Sequence, residues 1–210
     1  MFSMNLNKLI NSSTPEYWDE AYRLGNVTWD LGFPTPVFNN WINHQKVKLS
    51  ICVVGAGNGW DAINFAKKGH NVTAVDFALS AISNMRSEAT NSNVKLNILH
   101  SDIFDLNKIF QEKFDIVLEY TCYCAIDPSM RKDYISIVNT ILKPRGKFVA
   151  LLFPLDKVIN EGGPPYGVSL SNTLNLFDKY FLVDKYEYPV DSIEARKGRE
   201  IFITFNKHGH

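Results

Sequence analysis

The sequence predicts an α/β fold with a doubly wound, mostly parallel seven-stranded sheet and an antiparallel edge strand. Three observations carry this expectation. From Leu49 onward, short apolar runs alternate with helical segments, the order that builds a parallel sheet covered by helices on both faces. The first run closes on a glycine-rich turn, GAGNG at 55–59, where the backbone can adopt positive φ and come close to a ligand. The second run closes on Asp76, 21 residues past Gly55, at the edge where such sheets meet their ligands.

Taken in order, Pro15 to Tyr22 reads as the first turns of a helix. GNVTWDLGFPTP at 25–36 is a loop, because its glycines and prolines forbid regular structure. Strands are expected in LSICVVG (49–55), NVTAVDF (71–77), VKLNILHSDIF (94–104), FDIVLEY (114–120), GKFVALLFP (146–154), FLVDKYEYPV (181–190) and REIFITFNK (199–207). Between them lie helical WDAINFAKKG (60–69), LSAISNMRSEA (79–89), PSMRKDYISIVNTILKP (128–144), ended by its proline, and SLSNTLNLFDKY (169–180). The last two strands are expected to pair antiparallel at one edge.

A chain of 210 residues suits one domain spanning 1–210. Its 45% hydrophobic and 21% charged residues exclude disorder, and the balance of 22 basic against 22 acidic residues gives no field to recruit nucleic acid or an anionic membrane. No leader-like apolar stretch opens the chain and no long apolar run suits a membrane. The odd set Cys52, Cys122 and Cys124 suits a reducing compartment, with the cytoplasm as default. Monomer is the default state.

The glycine spacing is G-x-G-x-G, and Trp60 stands where a dinucleotide fingerprint needs its third glycine, which disfavours a pyrophosphate. Read alone, the triplet also serves as a tight strand-to-helix turn. Asp76 is placed to accept hydrogen bonds from ribose hydroxyls, or to cap a helix before Leu79. Asp102 is placed to meet an adenine amino group, or to cap a turn before Phe104. Trp18 and Tyr22 lie at the helical spacing of a packing pair. Trp29, inside a polar Gly/Pro loop, is harder to explain as core.

Together with YWDEAY (17–22), TWDLGFPTP (28–36), VVGAGNGWD (53–61), AVDFALSA (74–81), EYTCYCAIDPSMR (119–131), GGPPYGV (162–168) and ARKGRE (195–200), the chain resembles the thiopurine methyltransferase-like family of class I, Rossmann-like methyltransferases, in particular its halide/thiol branch. The resemblance implies an S-adenosylmethionine site, with S-adenosylhomocysteine as product. It would be formed by Trp18, Tyr22, Trp29, Gly55, Gly57, Asp76, Phe77, Asp102, Ile103 and Tyr120, with residues 1–48 as a cofactor-covering segment. Two departures are Tyr22, where the family often has tryptophan, and a shorter segment ahead of Trp18. The residues fit this chemistry independently, since the faces of Trp29 and Tyr120 can attract a sulfonium at roughly 0.5 to 2 kcal/mol each.

Methyl transfer from a sulfonium is an in-line displacement that needs alignment and exclusion of water more than a strong acid or base. The resemblance implies a small soft acceptor: a thiol, hydrosulfide, thiocyanate or halide. Tyr166 and Arg196 are the candidates for lining its pocket, with the arginine drawing an anion; their bland readings are a turn aromatic and a solvated charge. Cys122 and Cys124 alternate along a strand end and read as buried side chains. The sequence holds no H-E-x-x-H, no G-x-S-x-G and no zinc spacing, and His208 and His210 fall on a fraying end. Alternatives are a thiopurine or other aromatic thiol as acceptor, an NAD-binding oxidoreductase, and a non-catalytic cofactor-binding module.

Overall fold

The seven apolar runs become seven strands in a computed structural model that describes residues 11–209: β1 (Ser50–Val54), β2 (Asn71–Asp76), β3 (Asn97–His100), β4 (Phe114–Tyr120), β5 (Leu142–Leu152), β6 (Phe181–Glu187) and β7 (Ile201–Lys207). Their order is β3-β2-β1-β4-β5-β7-β6. The first five pair in parallel, whereas β7 runs antiparallel to both β5 and β6. This is the expected Rossmann-like sheet with its antiparallel edge. Strand order reverses between β1 and β4, which opens a crevice at the carboxyl ends of those two strands. Residues 1–10, the start of the expected covering segment, and His210 lie outside the described residues.

Among the described residues there are seven α-helices, two ahead of β1 and five between strands: α1 (Pro15–Leu24), α2 (Pro36–Asn43), α3 (Trp60–Lys67), α4 (Leu79–Asn91), α5 (Leu106–Ile109), α6 (Arg131–Ile141) and α7 (Leu170–Phe177). α1 starts on a proline, whose fixed φ suits a first helical position. It stops at Gly25, whose φ of 73° lets the chain turn back so that Asn26 N–H reaches the Ala21 carbonyl. α2 is an element beyond those expected from the sequence: Pro36 opens it and Val37, Phe38, Trp41 and Ile42 make one apolar face, with Val37, Phe38 and Ile42 buried.

Two expectations shift at element ends. The helix expected to run to Pro144 leaves the helical path at Leu142, and residues 142–152 form β5. The proline disfavours helical geometry in the residue before it. The register jump from Phe114↔Leu142 to Ile116↔Lys147 places Pro144, Arg145 and Gly146 in a bulge. His208, expected on a fraying end, is tied down: its N–H donates to the Tyr180 carbonyl at 2.9 Å, and its Nε2 lies 3.0 Å from the Asp178 carbonyl.

The sheet separates two apolar layers. One is aromatic, with Phe177 stacked on Phe205 at 4.7 Å and on Phe148 at 5.2 Å; the other packs Phe38, Phe65 and Met85 against β1 and β2. Burying side chains of this size stabilises the fold by about 1.5 to 3 kcal/mol each. The rigid sheet holds the loops after β1, β2, β3 and β4 around the crevice.

Candidate active site

Gly55, Gly57 and Gly59 follow β1 with φ of 56°, 55° and 83°, in the left-handed region that glycine enters without penalty. The turn also lacks room for side chains. A Cβ on Gly55 would sit 2.8 Å from the Cβ and Sγ of Cys122, and one on Gly57 would sit 2.7 Å from the Tyr22 hydroxyl. The turn is therefore tight, as its bland reading held, and it also forms part of a cavity wall. That cavity, about 580 Å³, is lined by Gly55, Asp76, Phe77, Asp102 and Ile103, together with Trp18, Tyr22, Trp29 and Arg196, a size suited to one small ligand and its reaction partner.

Asp76 is buried at the end of β2. Its Oδ2 accepts the Gly57 N–H at 2.8 Å and its Oδ1 the Ala78 N–H at 2.9 Å. Burial holds its carboxyl above the usual range, against the N–H donors of Ala78, Gly57 and Phe77. A carboxylate offers about four acceptor sites, so acceptor capacity remains for a ligand. Asp102 caps the turn, its Oδ1 accepting the Phe104 N–H at 2.9 Å, and also lines the cavity beside Ile103 and Phe104. Apolar Phe77, Ile103 and Phe104 with a carboxylate alongside make a slot fit for a flat base.

An aromatic cover closes over this slot. Trp29 meets Trp18 edge-on at 5.1 Å and Tyr22 at 5.7 Å, and its Nε1–H donates to the Tyr22 hydroxyl. Burial and the nearby Asp76 charge keep that hydroxyl protonated above its usual range. α1 docks through Asp19, whose Oδ1 accepts the Ser80 N–H at 2.6 Å. The loop carrying Trp29 is stitched to the glycine turn: Asp30 accepts from Trp60 Nε1 at 2.7 Å and from Asn58 Nδ2. Thr35 donates its N–H and hydroxyl to Asp61, a carboxyl that burial pushes up to about 6.

Arg196 closes the cover from the far end of the sequence. Its Nη2–H donates to the Trp29 carbonyl at 2.8 Å, and its guanidinium lies 4.9 Å over Tyr120 and 5.1 Å over Phe153. Its Nη1 is buried without a partner among the described residues, so the solvated-charge reading does not hold. Tyr120 stands behind it, donating its hydroxyl to Glu200 at 2.9 Å. Tyr120 and Gly57 line a smaller pocket adjoining the main cavity, which they do not line themselves.

Tyr166 also departs from expectation. Its N–H donates to the Cys124 carbonyl at 2.7 Å and its ring packs on Gly163, while Pro164 and Pro165 take the cavity wall. A small glycine beside the aromatic lets the ring fold back on its own segment. The two cysteines leave the expected strand end for the loop after β4, where Thr121 has a φ of 59° and Cys122 packs on Gly55. Burial raises both thiols, Cys124 to about 12, so neither is a ready nucleophile. Sequence reasoning also passed over Phe153 and over Glu119, a buried carboxyl on β4. An acidic residue following the apolar run Ile116–Leu118 was the available signal for Glu119.

Residues 13–208 match the family model for thiopurine S-methyltransferase. The "Probable thiol methyltransferase 2" of Arabidopsis thaliana is 31% identical over 168 residues, covering 79% of this chain and 73% of the relative. Thiocyanate methyltransferase 1 of Brassica oleracea is 29% identical over 188 residues, covering 87% and 81%. Among solved structures, 1,6-didemethyltoxoflavin-N1-methyltransferase of Burkholderia thailandensis superposes with a TM-score of 0.74 at 17% identity, over 93% of this chain and 87% of that one. This last likeness establishes the fold.

Proposed function

The chain belongs to the thiopurine S-methyltransferase family and is an S-adenosylmethionine-dependent S-methyltransferase; on that premise we propose that its acceptor is a small soft nucleophile, a thiol, hydrosulfide, thiocyanate or halide. One observation carries the reading. Among the described residues, the cavity wall around Phe153, Ile126, Met130, Pro164 and Pro165 offers Arg196, Arg199 and apolar surface but no imidazole. Asp127, a carboxylate in the lining, is held below its usual range by hydrogen bonds from Ser129, which makes it a poor base. The acceptor must bring its own nucleophilicity, as thiolates and soft anions do.

The cavity fits the cofactor. Gly55 lines it at the turn after β1, Asp76 keeps acceptor capacity for ribose hydroxyls, and Asp102 with Phe77 and Ile103 suits adenine. Trp18, Tyr22 and Trp29 supply faces for a cation, with Tyr120 behind Arg196. When bound, S-adenosylmethionine supplies a methyl group activated by its sulfonium. The residues of the chain align and dry the site: the aromatic cover excludes water, and Arg196 attracts an anionic acceptor through a guanidinium already fixed in place. Tyr166 supports the wall through its backbone. We read residues up to 48 as the covering part of a single domain, and the protein as a cytoplasmic monomer acting on small molecules, a compartment in keeping with three free cysteines.

A second reading, an aromatic thiol as acceptor, is favoured by the apolar surface of Ile126, Met130 and Phe153. Release of S-adenosylhomocysteine from purified protein given iodide, thiocyanate, hydrosulfide or thiophenol separates the two. Turnover of the inorganic nucleophiles is expected, turnover of thiophenol alone supports the second reading, and turnover of none refutes both.

A further inference from the structure

We infer that Arg131 is a positioning residue for the methyl acceptor: from outside the cavity, its buried guanidinium fixes the two loops that form the acceptor-side wall. The inference rests on the acceptor reading above. Arg131 opens α6 and is 3% exposed. Its guanidinium lies 4.5 Å over the Tyr123 ring and donates Nη1–H to the Gly167 carbonyl at 3.0 Å. Nε and Nη2 are buried without partners among the described residues. A buried cation with two unmet donors costs stability, so its hold on the fold does not by itself explain an arginine here.

Its position does. Loop 121–127 brings Cys122, Cys124 and Ile126 to the cavity, and segment 164–168 brings Pro164 and Pro165. Neither is helix or strand. They are joined by the Tyr166 N–H on the Cys124 carbonyl and by the Arg131 cation, which rests on Tyr123 of one loop and bonds Gly167 of the other. Beneath the first loop, Glu119 accepts the Tyr123 N–H at 2.6 Å and the Tyr134 hydroxyl at 2.8 Å. At Gly167 an added Cβ would come within 2.0 Å of the Lys157 carbonyl oxygen, so the second segment is held at closest approach. Arg131 itself does not line the cavity.

The test uses the full-length protein with an acceptor that the wild type turns over, and compares Arg131→Met with Arg131→Lys. Arg131→Met is expected to raise the acceptor KM by about tenfold or more, measured where circular dichroism shows the variant folded, and to leave the Kd for S-adenosylhomocysteine within about twofold. Arg131→Lys, whose ammonium can reach Gly167 but cannot lie flat on Tyr123, is expected to raise KM by a smaller factor. Wild-type acceptor KM in both variants, or in Arg131→Lys alone if the methionine variant does not fold, overturns the inference. A parallel rise of acceptor KM and S-adenosylhomocysteine Kd also overturns it. Failure of the acceptor reading is seen separately, as absence of turnover by the wild type.

Discussion

Replacing Asp76 by alanine tests the cofactor site most directly. The carboxylate is 7% exposed, lines the cavity, and already accepts the Gly57 and Ala78 N–H groups at 2.8 and 2.9 Å. A ribose hydroxyl donating to it would form a hydrogen bond to a charged group, worth about 1.5 to 3 kcal/mol. Losing one such bond predicts a Kd for S-adenosylmethionine or S-adenosylhomocysteine raised roughly ten- to a hundredfold. The substitution also orphans two backbone donors in a buried turn, at about 1 to 3 kcal/mol each, so the melting temperature should fall. Binding is therefore measured by calorimetry at a temperature where circular dichroism shows the variant folded. Asp76→Asn, which keeps one acceptor oxygen, is expected to fall between. A folded Asp76→Ala protein whose Kd stays within twofold of the wild type would refute the placement of the ribose at Asp76.

Further outcomes follow from the same geometry. Gly57→Ala should weaken cofactor binding, because its φ of 55° is strained for alanine and its Cβ would meet the Tyr22 hydroxyl at 2.7 Å; adding Tyr22→Phe should restore part of the affinity, and strict additivity would contradict the clash. Arg196→Met should lower kcat/KM for thiocyanate, and an unchanged value in a folded variant would remove the anion-attracting role. Burial pushes the Glu119 carboxyl from 4.5 up to about 7. A raised folded value favours folding below the unfolded pKa, and that contribution is lost as pH climbs to 7, on the order of 3 kcal/mol. Chemical denaturation at pH 4.5 and 7.5 should therefore show a decline in wild-type stability that is smaller in Glu119→Gln, where only other raised carboxyls such as Asp61 contribute, and identical profiles would sink this account.

The parts of the site legible in the sequence are those a few neighbouring residues decide. Three glycines after an apolar run require a turn with positive φ, and an aspartate ending the next run must emerge at the same sheet edge. Trp18 and Tyr22 share one face of a short helix by periodicity alone. Where these signals ran out, the deciding contacts were distant in sequence. Arg196 reaches the Trp29 carbonyl across 167 residues, and Tyr120 reaches Glu200 across 80.

By itself, then, the sequence determined the strand and helix alternation, the glycine turn and the acidic residues at the strand ends, because backbone preference and hydrophobic period act locally. Only the tertiary structure decided that Tyr166 turns onto Gly163 while prolines face the cavity, that the cysteines leave the strand for a loop, and that Arg131 lies buried between two loops. Side-chain direction in irregular segments is set by which distant surfaces close around them, and no local propensity encodes that packing.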